Sequence, residues 1–196
     1  MVAKADAKAL AKADAKPTIL FVPGLRGHVA GHWQTLLAAE MPGSHTVPPL
    51  EADGLGCAAR VAAIERALSA IDGPVVLVAH SAGVLMIAHW AARHASPIAG
   101  ALLVTPPDLD ARWPAQYPQP EVLATQGWSP LPRGPLPFPS IVAASRNDHL
   151  ASFASAQALA ADWGSTLVDL GEVGHLNPAS GHGPWPQARE LIARLS

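Results

Sequence analysis

Residues 75–83 read VVLVAHSAG, a run of valine, leucine and alanine that passes directly into a turn of small residues with Ser81 at its apex. Asp72-Gly73-Pro74 precedes the run, and nothing in Val75 to Val78 offers a polar face to water. This pattern fits a short strand buried on both sides, as in the middle of a parallel sheet. Residues 81–94 then have helical character, so the segment reads strand, sharp turn, helix. That order is the context of the G-x-S-x-G nucleophile elbow, in which a strained turn lifts a serine hydroxyl above the sheet. Ala79 stands where the pattern has its first glycine, and Gly83 keeps the second. The first site needs only a side chain small enough for strand and helix to close, and alanine adds one methyl. Serine is also a preferred helix N-cap, so the turn by itself leaves Ser81 open between nucleophile and cap. His80 is not a candidate base for it, because neighbours on a sharp elbow point apart; packing or cleft lining is the expected role.

Working outward from this turn, short aliphatic runs alternate with amphipathic ones. Strands are predicted over 18–22, 98–104, 140–144 and 166–170, with a weak edge strand near 45–47. Helices are predicted over 32–40, 56–71, 153–163 and 184–195; Val61, Ile64, Leu68 and Ile71 mark the second at helical spacing. Residues 106–139 hold ten of the chain's 20 prolines together with Trp113, Tyr117 and Trp128, a composition that excludes a regular strand or a long helix and predicts a loop-rich insertion. About six mostly parallel strands with helices on both faces follow, the α/β-hydrolase fold with no large cap domain. Residues 17–196 are expected to form this one domain, and the Ala/Lys-rich residues 1–16 a flexible or frayed helical arm.

Composition narrows the function classes. Of 196 residues 49% are hydrophobic and 14% charged, which suits a compact body with much buried aliphatic surface. A formal net charge of -2 supplies no basic field for nucleic acid or anionic lipid. No run of 18 apolar residues occurs, so no membrane span is expected. Cys57 is the single cysteine, which rules out an intrachain disulfide and any Cys-His metal cluster; with no secretory pattern at the start, the cytoplasm is the predicted compartment. The glycine-containing turn 23–27 lacks a G-x-G-x-x-G or Walker pattern, and no cofactor is implied.

In doubly wound sheets ligands bind beyond the carboxyl ends of the strands, and α/β-hydrolases supply their triad in the chain order serine, acid, histidine. Asp148 follows the predicted strand 140–144 within Ser145-Arg146-Asn147-Asp148-His149, and His175 follows the strand 166–170 within Gly171-Glu172-Val173-Gly174-His175. His175 can take the Ser81 proton while Asp148 fixes its tautomer. Asp108 and Asp110, after an earlier strand, remain alternatives for the acid, and Asp148 has a turn-forming reading as well. Asp169 lies inside a strand and is expected to face solvent; His149 and His182 read as surface or cleft residues. An oxyanion hole needs two backbone N–H donors, expected from Ala82, directly after the serine, and from Leu25 in Pro23-Gly24-Leu25-Arg26-Gly27.

Three segments carry a family resemblance: PGLRGHVAGHWQ at 23–34, VVLVAHSAG at 75–83 and GHLNPASGHGPWPQARELI at 174–192. Over about residues 17–196 the chain resembles the small serine hydrolases that include the retinoblastoma-binding serine hydrolase and the bacterial YdeN-like proteins. The resemblance implies a compact hydrolase with little or no lid that acts on ester or amide bonds, with a triad at Ser81, Asp148 and His175. The L-x-C-x-E element tied to pocket-protein binding in the human relative is incomplete here, since Leu55-Gly56-Cys57-Ala58-Ala59 lacks the glutamate. The expected activity is hydrolysis of a small ester-type substrate through an acyl-enzyme, with small amides or thioesters as variants on the same residues. A binding module that kept the fold without the chemistry is the rival, because fold alone does not guarantee catalysis. Trp113, Tyr117, Trp128 and Trp185 are candidates to line an apolar cleft.

Overall fold

A computed structural model describes residues 16–50 and 54–196. The expected arm at 1–16 lies outside the described residues, apart from Lys16. Six strands form one sheet: β1 (Thr18–Val22), β2 (His45–Thr46), β3 (Val75–His80), β4 (Ile98–Val104), β5 (Ser140–Ala144) and β6 (Thr166–Asp169). Their order is β2-β1-β3-β4-β5-β6 and every neighbouring pair is parallel. The first strand therefore lies one place in from an edge; the chain steps outward to β2 and crosses back over β1 to β3. That reversal is the switch point at which such sheets open a crevice.

The period-2 alternation of side chains explains why the central strands are apolar throughout. Leu20, Val22, Leu77, Ala79 and Leu103 face one core, and Ile19, Phe21, Val76, Val78 and Leu102 face the other. The first core is covered by α2 (Cys57–Ser69), α3 (Ala82–Ala91) and α5 (Phe153–Trp163), through Ile64, Leu85 and Leu159 among others. The second is covered by α1 (Trp33–Ala39) and α6 (Gln187–Ala193), through Trp33, Leu37, Leu191 and Ile192. Nine of the ten residues of α3 are buried, which accounts for a helix that is apolar on every side.

The proline-rich insertion contains only the six-residue α4 (Pro120–Thr125) and is fastened by indoles instead of a sheet. Trp113 Nε1 donates to Asp108 O at 2.7 Å, Trp128 Nε1 to Leu55 O at 2.7 Å, and Trp163 Nε1 to Pro132 O at 3.0 Å. A buried indole N–H needs such a partner, so each tryptophan both fills the core and fixes a loop. Among the described residues no helix is long and apolar enough to cross a membrane.

Candidate active site

Ser81 sits where β3 ends and α3 begins, with φ 58° and ψ -131°. A non-glycine residue at positive φ is strained, and such strain collects at sites where the surrounding structure enforces it. Two features enforce it here. Ser81 N donates to Val104 O at 2.9 Å, tying the turn to β4, and α3 presses so close to the end of β1 that a Cβ on Gly83 would collide with Val22 O and lie 2.9 Å from Pro23 O. Glycine is thus required at 83, whereas Ala79 is fully buried without conflict. Ser81 makes no side-chain capping hydrogen bond to α3, so its hydroxyl is not spent as an N-cap.

The hydroxyl turns to a histidine instead. Ser81 Oγ lies 2.8 Å from His175 Nε2, and His175 Nδ1 lies 2.8 and 3.0 Å from the two carboxylate oxygens of Asp148. The carboxylate only accepts, so the Nδ1 proton faces it and Nε2 is left as an acceptor toward Ser81 Oγ. The His175 and Asp148 side chains are 2% and 3% exposed, which keeps water from competing for this contact. Asp148 also accepts from Leu150 N at 2.9 Å, so its turn-forming role and its contact with His175 coexist. The other candidate acids lie elsewhere: Asp108 accepts from Asp110 N, and Asp169 pairs with Arg146 in solvent.

The backbone of His175 is held on both sides. Its N–H donates to Ser180 Oγ at 3.0 Å, and its carbonyl accepts from His80 Nε2 at 2.8 Å. Gly174 has φ +57°, a Cβ there would lie 2.7 Å from Ser180 Oγ, and its N–H donates to Asn147 Oδ1 at 2.6 Å. The segment Gly174 to Ser180 therefore demands the glycine and serine it carries. Ser180 is in turn oriented by Asn177, whose side chain caps the short 3-10 turn Pro178–Ser180.

Behind His175 lie two further imidazoles. His32 and His80 rings stand 4.5 Å apart, and His80 is 4.9 Å from His175. Burial, and then the proximity of His175, lower the His32 pKa to about 4; the same two causes, with His32 added, hold His80 well below the usual imidazole range. Both rings are therefore neutral near pH 7 and do not repel a proton on His175. His32 Nδ1 accepts from Gln34 N at 3.2 Å as the N-cap of α1, and Gln34 Nε2 donates to Val78 O at 2.9 Å and Val22 O at 3.4 Å. His149, exposed at the rim 5.5 Å from His175, is also lowered, mainly by partial burial.

Leu25 and Ala82 both line the cleft above Ser81. Ala82 opens α3, and the first N–H groups of a helix have no partner within it. Gly24 packs on the elbow, since a Cβ there would stand 3.1 Å from Ser81 Cβ, so Leu25 follows the point of closest approach. Arg60 of α2 donates to Leu25 O at 3.1 Å and to Gly54 O, clamping the same loop. Of the four aromatic candidates, Trp113 and Tyr117 line the cleft. Trp128 is instead buried beside His89, and Trp185 packs on Trp33 over the second core. Sequence reasoning gave His80 a packing or cleft-lining role, and it lines the cleft, but its hydrogen bond to the His175 carbonyl was missed; the GHLNPAS turn carried a legible signal for Asn177 and Ser180 in its Asn-Pro pair.

A parallel six-stranded sheet with a serine on a strained strand-to-helix turn at its crevice defines an α/β-hydrolase. The serine hydrolase family model matches residues 19–194, and the chain belongs to that family. A protein of Pectobacterium atrosepticum described as a YdeN-like hydrolase is 32% identical, with 95% of this chain and 96% of that one covered and a TM-score of 0.76. The ydeN gene product of B. subtilis shares 16% identity over 92% of this chain and 98% of its own, with a TM-score of 0.70. An esterase domain from Rhodothermus marinus shares the fold at 15% identity and TM-score 0.60, covering 86% and 82%. Among curated proteins none matches.

Proposed function

We propose that this hydrolase cleaves small carboxylic esters through an acyl-enzyme, with Ser81 as nucleophile, His175 as base and Asp148 as the group that orients it. The observation that carries the reading is the 2.8 Å contact between Ser81 Oγ and His175 Nε2, made by a serine that is strained and not used as a cap. Ser81 Oγ attacks the ester carbonyl as its proton passes to His175 Nε2. Asp148 favours the resulting imidazolium, and the oxyanion is met by the N–H groups of Leu25 and Ala82 at the positive end of α3. Collapse breaks the bond to the alcohol oxygen, which leaves with the proton from His175. Water, deprotonated by the same imidazole, then attacks the acyl carbonyl and releases the acid and free Ser81.

The cleft encloses about 150 Å³, small beside sites for drug-sized ligands, and has apolar walls from Leu25, Val29, Trp113 and Leu150. A short acyl chain suits it better than a long one. Thioesters and small amides meet the same groups and differ in the leaving atom. The buried, lone Cys57 is compatible with the reducing cytoplasm. A fluorophosphonate probe should label Ser81 covalently, with the label lost in Ser81→Ala, and p-nitrophenyl acetate should be hydrolysed by the wild type alone. A folded wild type that neither labels nor turns over the ester would favour the non-catalytic binding module instead.

A further inference from the structure

Among the described residues lining the cleft, Arg26 is the one permanently charged side chain, and none of them is an aspartate or glutamate. The Asp148 carboxylate is turned inward, with both oxygens on His175 Nδ1. Arg26 directly follows Leu25, and its guanidinium carbon stands 5.2 Å from the centre of the Tyr117 ring. Tyr117 is itself held, its hydroxyl 3.0 Å from His149 Nε2 and its ring 5.4 Å from that imidazole. A guanidinium resting on an aromatic face keeps the N–H donors at its rim available, and the ring orients it at little further entropic cost. Among the described residues no carboxylate forms an ion pair with Arg26.

We propose that Arg26 receives a carboxylate carried by the substrate, so that the preferred esters are half-esters of dicarboxylic acids or similar monoanions. The inference rests on the reading of Ser81 as nucleophile. One guanidinium balances one negative charge, whereas a phosphate dianion would leave a charge uncompensated among the neutral rings of His32 and His80. Gly24, two residues before Arg26, touches Ser81, and two residues span at most about 7 Å. That bound keeps the Arg26 backbone close enough to the serine for its long side chain to meet a carboxylate on a substrate bound at Ser81. A planar, bidentate acceptor suits the rim of an arginine better than a point charge would.

The test compares p-nitrophenyl hydrogen adipate with p-nitrophenyl methyl adipate, a pair alike except for the charge, with a chain long enough to discourage attack by the ester's own carboxylate. In the wild type at low salt kcat/KM should favour the anionic ester about twofold to fivefold, the range of an exposed charge pair. The ratio should fall to about one in Arg26→Gln, recover in part in Arg26→Lys, and narrow in 0.5 M salt, where the screening length is only a few ångström. Taking the ratio within each variant cancels any general loss from disturbing Leu25. A wild-type ratio of one, or a preference that survives Arg26→Gln, overturns the proposal while turnover of the neutral ester still upholds the hydrolase reading. Binding of the two esters to Ser81→Ala separates the conclusions from the other side: absent turnover with a retained preference that depends on Arg26 sinks the ester reading alone.

Discussion

Acidification should destabilise this chain through one identifiable ring. His32 is 8% exposed and its pKa is lowered to about 4, against 6.5 for a free imidazole. Between those values the unfolded chain holds a proton that the folded chain does not. Stability is therefore fully present above about pH 6.5, declines as pH falls through that window, and levels off below about pH 4. At pH 4.5 nearly two pKa units of the difference are in play, which at about 1.4 kcal/mol per unit costs roughly 2.5 kcal/mol relative to pH 8. Urea unfolding of the wild type and of His32→Asn at both pH values isolates the contribution, because asparagine keeps an N-cap acceptor for Gln34 N but does not titrate. The protonation of carboxylates affects both proteins alike and drops out of the double difference. The wild type should lose about 2 kcal/mol more than the variant. Equal losses would refute the claim that His32 is held neutral by burial, and with it the account of why a proton on His175 meets no opposing charge there.

Two further outcomes follow from the same geometry. Asp148→Asn leaves the shape of the site in place but removes the acceptor that keeps the His175 proton on Nδ1; kcat toward p-nitrophenyl acetate should fall about 10³-fold to 10⁴-fold, with an unchanged thermal midpoint marking the effect as chemical. Gly83→Ala drives a methyl into Val22 O and Pro23 O, and thermal unfolding should report a loss of about 2–4 kcal/mol together with a disturbed elbow and diminished ester turnover.

The architecture was legible because its signals are local. The strands at 18–22, 98–104 and 140–144 and the helix at 153–163 coincide with the predicted runs, since each is a block of apolar residues stopped by glycine, proline or a polar turn. Boundaries shifted where pairing outlasted hydrophobicity or proline cut it short. Strand β3 continues two residues past the valine run because Ala79 and His80 still pair with Leu103 and Val104. The last helix starts at Gln187, since Pro184 and Pro186 push the residues before them, Gly183 and Trp185, out of the helical region. Chain order favoured Ser81, Asp148 and His175 while leaving Asp108 and Asp110 open as the acid, and the fold brings the first three within hydrogen-bonding distance. What the chain order could not express is contact between residues with no shared periodicity. The Arg26 and Tyr117 pair, the clamp of Arg60 on Leu25, and the hydrogen bond from His80 to the His175 carbonyl each join segments dozens of residues apart or more, set by where the loops cross.

The sheet ends in two strands that give a neighbouring molecule little to add to. β2 offers two residues, and β6 four, with Thr166 and Asp169 exposed at its ends. A foreign strand needs a longer run of unpaired peptide groups to take hold, so edge-to-edge polymerisation is discouraged by brevity at one margin and polarity at the other. A chain that is nearly half hydrophobic can thereby keep its long apolar strands in the interior, where no other copy can use them as a template.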